Sequence, residues 1–124
     1  MTKYLISFPS FAMDVADDEW DTVSEDSHAV IEEAKAAGVY VFGGGIDEAV
    51  DPIVVAGDET VTEGTYPGIT VPNGGYTVLE LPSRESAIEW AAKIAVACRC
   101  AQQVFELLPE VDPSEVLLYV NPTA

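Results

Sequence analysis

The sequence predicts an α+β fold, in which an antiparallel sheet carries two helices on one face. Short apolar segments that alternate with a period of two, as strands do, recur along the chain. Two longer segments, at residues 22–37 and 83–98, place apolar side chains at helical spacing between those strands. A length of 124 residues is enough for one core, and 48% hydrophobic residues argue against a disordered chain.

The first part of the chain predicts a strand, a helix and a second strand. Residues 3–8 form the first strand, with Tyr4, Ile6 and Phe8 on one face. Thr22 and Glu25 have the spacing of a capping box, which predicts the start of the helix there. Gly38 is suited to end that helix, and residues 39–42 then form the second strand.

The second part of the chain predicts a hairpin, a third long strand, a second helix and a last strand. Residues 53–56 and 60–62 are the two arms of the hairpin. Residues 76–81 alternate as a strand, and Ser83 is placed to cap the following helix. Residues 101–108 alternate again and form the last main strand.

This order of elements predicts a ferredoxin-like antiparallel sheet with both helices on one face. The other face of the sheet still carries apolar side chains, so it needs a cover. A second copy of the same sheet is the simplest cover, which predicts a homodimer closed as an α+β barrel. Residues 1–108 make up the domain. Residues 109–124 form a tail that packs on the domain or on the partner subunit, as a short helix or alternatively as a strand.

The charge of the chain limits its partners. A formal net charge of −17 repels nucleic-acid phosphates and anionic lipid surfaces, so we expect neither partner. The acid excess fits either a solubilising surface or adaptation to high salt. Two cysteines and one histidine are too few for a zinc site or a disulfide framework, and nothing suggests a metal or cofactor. Without a clear signal peptide or membrane span, a cytoplasmic location is expected.

His28 is the best candidate for chemistry because it is the only histidine and an imidazole exchanges protons near neutral pH. It lies at the border of the apolar stripe of the first helix, where a surface or capping role is the alternative. Asp47, just past the glycine run 43–45, is the first choice for a carboxylate partner. The glycine run itself is interpreted as a tight turn or bulge that ends the second strand.

Three residues are candidates for substrate contact. Tyr66 and Tyr76 are expected either to line a pocket or to pack in the core or dimer interface. Gly44 lies in the glycine run, where the backbone is free to approach another group closely.

Several segments of residues 1–108 together resemble the YCII-related proteins, in the branch named for its DGPF motif. The matching segments are His28, Ala37–Val39, Gly43–Gly45, Thr60–Tyr66, Gly74–Leu81, Ala87–Ala91 and Val104–Glu106. The resemblance implies a dimeric α+β barrel with acid–base chemistry at a histidine–carboxylate pair, without a cofactor. It also implies a regulatory context, because members of this branch are often associated with extracytoplasmic-function sigma factors.

The chain departs from the family signature at several positions. Glu63 replaces the signature aspartate, which makes it the second choice of partner for His28, while Thr65 and Tyr66 replace proline and phenylalanine. A lysine and an arginine usual in the family are also missing. Two functions therefore remain open. One is a lyase, isomerase or hydrolase acting on a small organic molecule, and the other is a non-catalytic interaction or regulatory protein linked to a sigma-factor system.

Overall fold

The computed structural model describes residues 1–68 and 73–109 and has the predicted α+β architecture. Its main elements are β1 (Thr2–Phe8), α1 (Trp20–Ala36), β2 (Tyr40–Gly45), β3 (Ile53–Val55), β4 (Val61–Glu63), β5 (Gly75–Leu81), α2 (Arg84–Cys98) and β6 (Gln103–Glu106). A short 3-10 helix at Ser10–Ala12 follows β1. The predicted conformations of the tail from residue 110 onward lie outside the described residues.

Four strands form one antiparallel sheet in the order β2-β5-β1-β6. This order is compatible with the ferredoxin-like arrangement, because β1 and β5 occupy the centre and each helix connects a central strand to an edge strand. The predicted hairpin is also present, and β3 and β4 pair as a separate two-stranded antiparallel sheet.

The hydrophobic core lies between the sheet and the two helices. Tyr4 and Ile6 from β1 and Leu79 and Leu81 from β5 are all nearly or fully buried there. The helices contribute mostly small side chains, namely Ala34, Ala87, Ala91, Ile94 and Cys98. Small residues let the helices approach the sheet closely, while each buried leucine stabilises the fold by about 1.5–3 kcal/mol. The apolar side chains predicted at helical spacing in residues 83–98 thus form the inward face of α2.

The opposite face of the sheet carries a continuous apolar row. Phe42 pairs with Val78, Val78 with Leu5, and Leu5 with Phe105, so one side chain from each strand lies in register across the sheet. Phe42 and Phe105 are 57% and 49% exposed. We call these four residues, together with the neighbouring Tyr76, the outer sheet face.

The start of α1 differs from the prediction. The helix begins at Trp20 with Glu19 as its N-cap residue, and no side chain caps it. The N–H of Val23 already bonds to the carbonyl oxygen of Glu19 at 2.9 Å, so Thr22 lies inside the first turn. The capping box at Thr22 and Glu25 was therefore wrong as the helix start. The predicted cap of α2 is confirmed, because the Ser83 hydroxyl accepts the N–H of Ser86 at 3.2 Å.

The glycine run 43–45 also differs from the prediction, since it continues β2 instead of ending it in a turn. Gly43, Gly44 and Gly45 stay in register with β5, and the β-bulge lies earlier, between Tyr40 and Phe42. Close packing explains the first glycine, because a Cβ there would lie 3.0 Å from the Tyr76 carbonyl oxygen.

The remaining differences concern lengths. The last strand, Gln103–Glu106, is shorter than the predicted 101–108. The helix stop at Gly38 is confirmed by its positive φ of 74°. Within residues 1–68 and 73–109, neither helix combines the length and the apolar character needed to cross a membrane.

Candidate functional site

A cavity of about 450 Å³ opens between α1, the end of the sheet and the C-terminal half of α2. Its size is typical of a small-molecule site. The lining is mainly apolar and aromatic, and we call this cavity the α1 pocket. It is lined by Phe8, Ser10, Met13, Trp20, Ser27, Val30, Ile31, Gly44, Gly45, Glu48, Gly74, Gly75, Tyr76, Thr77, Ile94, Ala97 and Cys98.

One carboxylate lines the α1 pocket, and a hydrogen bond orients it. The Ser10 hydroxyl donates to Oε1 of Glu48 at 2.7 Å. The backbone N–H of Ser10 in turn donates to Oδ1 of Asn73 at 2.9 Å. The 3-10 helix after β1 and the segment after β2 are thereby tied together beside the cavity. The bond from Ser10 favours one orientation of the otherwise exposed Glu48 carboxylate beside the pocket.

The helical wall of the pocket is held by contacts between α1 and α2. The hydroxyl of Ser27 and the thiol of Cys98 lie 3.5 Å apart. Next to them, the Arg99 guanidinium donates to Asp26 at 2.9 Å, and the same side chain also donates to the Val96 carbonyl oxygen. These contacts fix the spacing of the two helices and therefore the width of the pocket.

His28 lies on α1 next to Ser27, but its side chain faces away from the α1 pocket. The side chain is 75% exposed, further outward than the border position predicted from the sequence. Its Nε2 atom lies 3.6 Å from Oε1 of Glu32, one helical turn away, and Glu32 also pairs with Lys35. Exposed pairs of this kind contribute little to stability, at most about 1 kcal/mol.

The two carboxylates predicted to assist His28 lie elsewhere in the subunit. Asp47 follows β2, where its Oδ1 accepts the backbone N–H of Ala49 at 3.0 Å. Glu63 is exposed at the end of β4. Among the described residues, the carboxylate within ion-pair distance of His28 is that of Glu32, so the chain does not bring His28, Asp47 and Glu63 together.

The predicted substrate-contact residues divide into two groups. Tyr76 and Gly44 line the α1 pocket. The Tyr76 ring also packs on Phe42, with 5.8 Å between centroids and a tilt of 48°. Tyr66 is 71% exposed and does not line this pocket.

Several lining residues were not predicted from the sequence. Trp20 belongs to the first turn of α1, where it is half exposed beside the pocket. Ser10 and Glu48 are 38 positions apart and become partners only through the fold. Glu48 stands next to Asp47, so the acidic segment after the glycine run was the available signal.

No group of three or more histidine, cysteine, aspartate or glutamate side chains is arranged to hold a metal ion within the described ranges. A scan of the sequence against protein-family models found no match, and a search of curated proteins found none either.

Proposed function

We propose that this protein is a small-molecule-binding homodimer of the YCII-related type, with the α1 pocket as its binding site. The observation that carries the proposal is the pocket itself, an open cavity between α1, α2 and the end of the sheet that is lined largely by apolar side chains. Two free thiols, Cys98 and Cys100, support a reducing, cytoplasmic compartment.

The outer sheet face supports the dimer. The row formed by Leu5, Phe42, Val78 and Phe105 is apolar, and a groove of about 670 Å³ lined partly by Leu5 and Phe105 runs along it. The charges on this face compensate each other, since Lys3 Nζ lies 3.2 Å from the Glu80 carboxylate opposite it. Two copies can therefore approach through this face even though each carries a net charge of −17.

A pair of substitutions with matched exposure tests the dimer. Phe42 on the outer sheet face and Ile88 on α2 are 57% and 55% exposed. We expect Phe42→Glu to shift the protein to monomers in sedimentation velocity, because a paired glutamate would be buried without a partner. Ile88→Glu should leave a dimer. Native protein that sediments as single chains, or equal behaviour of both variants, would contradict the dimer.

A second pair tests the binding site. Ser27 lines the α1 pocket, whereas Ser24 is exposed one turn earlier on the same helix. Ser27→Phe fills the cavity, and we expect it to abolish binding of small aromatic compounds detected by NMR. Ser24→Phe should bind as the native protein does. Binding that survives Ser27→Phe, with circular dichroism showing an intact helix content, would place the site elsewhere.

The solvent-facing position of His28 favours a second candidate function, a non-catalytic regulatory role in a sigma-factor system. An acid–base enzyme would need His28 to act on a ligand, with Asp47 or Glu63 supplied by a rearrangement or by the partner subunit. His28→Ala separates the two functions. Native protein that binds a ligand without converting it, together with unchanged binding by His28→Ala, supports the regulatory role, while turnover that His28→Ala loses with binding retained supports chemistry at the imidazole.

A further inference from the structure

The electrostatic character of the α1 pocket is one-sided. Glu48 is the only carboxylate among the lining residues, and no lysine, arginine or histidine accompanies it in the lining given by the described part of the chain. The carboxylate is not neutralised by an ion pair there, since its contact is the neutral hydroxyl of Ser10 at 2.7 Å. Glu48 is solvent-exposed, and a negative charge without an ion-pair partner beside an apolar cavity still disfavours anions and favours cations.

Aromatic side chains extend this preference. Phe8 and Trp20 line the cavity, and Trp20 remains 51% exposed. The faces of such rings attract organic cations, and the attraction is stronger when the site is desolvated. The rest of the lining, such as Val30 and Ile94, offers only apolar contact.

From these features we infer that the ligand of the α1 pocket is a small organic cation, with an apolar or aromatic body and a protonated amine directed at Glu48. This inference rests on the proposed function, because it assumes that the α1 pocket is the binding site. The apolar body occupies the cavity between α1 and α2, and the ammonium group donates hydrogen bonds to the carboxylate that Ser10 orients.

Three probes with the same phenylethyl body and different end groups test the inference. They are 2-phenylethylamine, 2-phenylethanol and 3-phenylpropionate, which are cationic, neutral and anionic at pH 7. Binding is measured by titration followed through the backbone amide signals of Gly45 and Ser27. We expect the amine to bind at least tenfold more tightly than the carboxylate, with the alcohol between them. Raising the salt concentration should narrow this difference.

Matched variants assign the preference to one side chain. Glu48→Gln should remove the preference for the amine and leave the affinity for the alcohol nearly unchanged. Asp51→Asn removes an exposed acid three residues later that does not line the pocket, and it should keep the preference. Equal affinity for all three probes, or a preference that survives Glu48→Gln, overturns the inference while the pocket stands as a binding site. If none of the probes shifts the pocket signals, the proposed function fails together with the inference.

Discussion

Replacing Gly74 with alanine is expected to destabilise the protein strongly, because two separate costs meet at this residue. Gly74 has a φ of 79°, which costs a non-glycine residue about 1–2 kcal/mol. A Cβ at this position would also overlap the Phe8 carbonyl oxygen and lie 2.7 Å from the Ser10 nitrogen. Both neighbours are backbone atoms, so the chain must shift, at a further cost of about 1–3 kcal/mol.

Gly38 provides the matched control for this prediction. Its φ is 74°, but a Cβ there would meet no atom within 4 Å, so Gly38→Ala carries the conformational cost alone. Urea unfolding of both variants at one protein concentration should show Gly74→Ala to be less stable by about 1–3 kcal/mol. Equal free energies of unfolding would refute the argument. The shift also displaces Ser10, so we expect Gly74→Ala to weaken binding in the α1 pocket.

Three further predictions concern a helix cap, a thiol and the net charge. Ser83→Ala removes the cap of α2, and it should lower the free energy of unfolding, measured by urea titration, by about 1 kcal/mol. An unchanged free energy of unfolding would show that the hydrogen bond to Ser86 does not stabilise the protein. Burial raises the pKa of the Cys100 thiol above its ordinary value, and the nearby Cys98 raises it further. Its alkylation by iodoacetamide should therefore need a higher pH than in urea-unfolded protein, and identical pH profiles would contradict this. Finally, 1 M NaCl should raise the urea midpoint by screening the charge of −17, and a midpoint that falls would show that repulsion is not limiting.

The order of elements could be predicted from the sequence because strand and helix periodicities are local signals. The capping-box spacing of Thr22 and Glu25 led to a predicted helix start that lies too late in the sequence. The same spacing also occurs inside a helix that begins at an earlier residue. The glycine run 43–45 likewise led to a wrong prediction, that of a tight turn or bulge at the end of β2. Glycine indicates a turn when considered locally, whereas here Gly43 is required by the close approach of the β5 backbone.

The candidate site was harder to predict because its parts come together only in three dimensions. Tyr76 and Gly44 were named for their residue types, an aromatic ring and a glycine run, and the structure places both on paired strands that end at the pocket. Glu48 was missed because its importance depends on Ser10, a residue far away in the sequence. His28 drew attention through its chemistry, yet its direction on α1 is set by small changes in helix rotation that the apolar stripe does not fix.

The two edge strands of the sheet limit growth of an assembly by strand addition. The edge strand β2 contains a bulge between Tyr40 and Phe42. The other edge strand, β6, has only four residues, Gln103–Glu106. Irregular or short edge strands offer another chain few backbone groups for hydrogen bonding. Growth into ribbons or fibres by strand addition is therefore disfavoured on both sides, and an aggregate would have to begin elsewhere in the molecule.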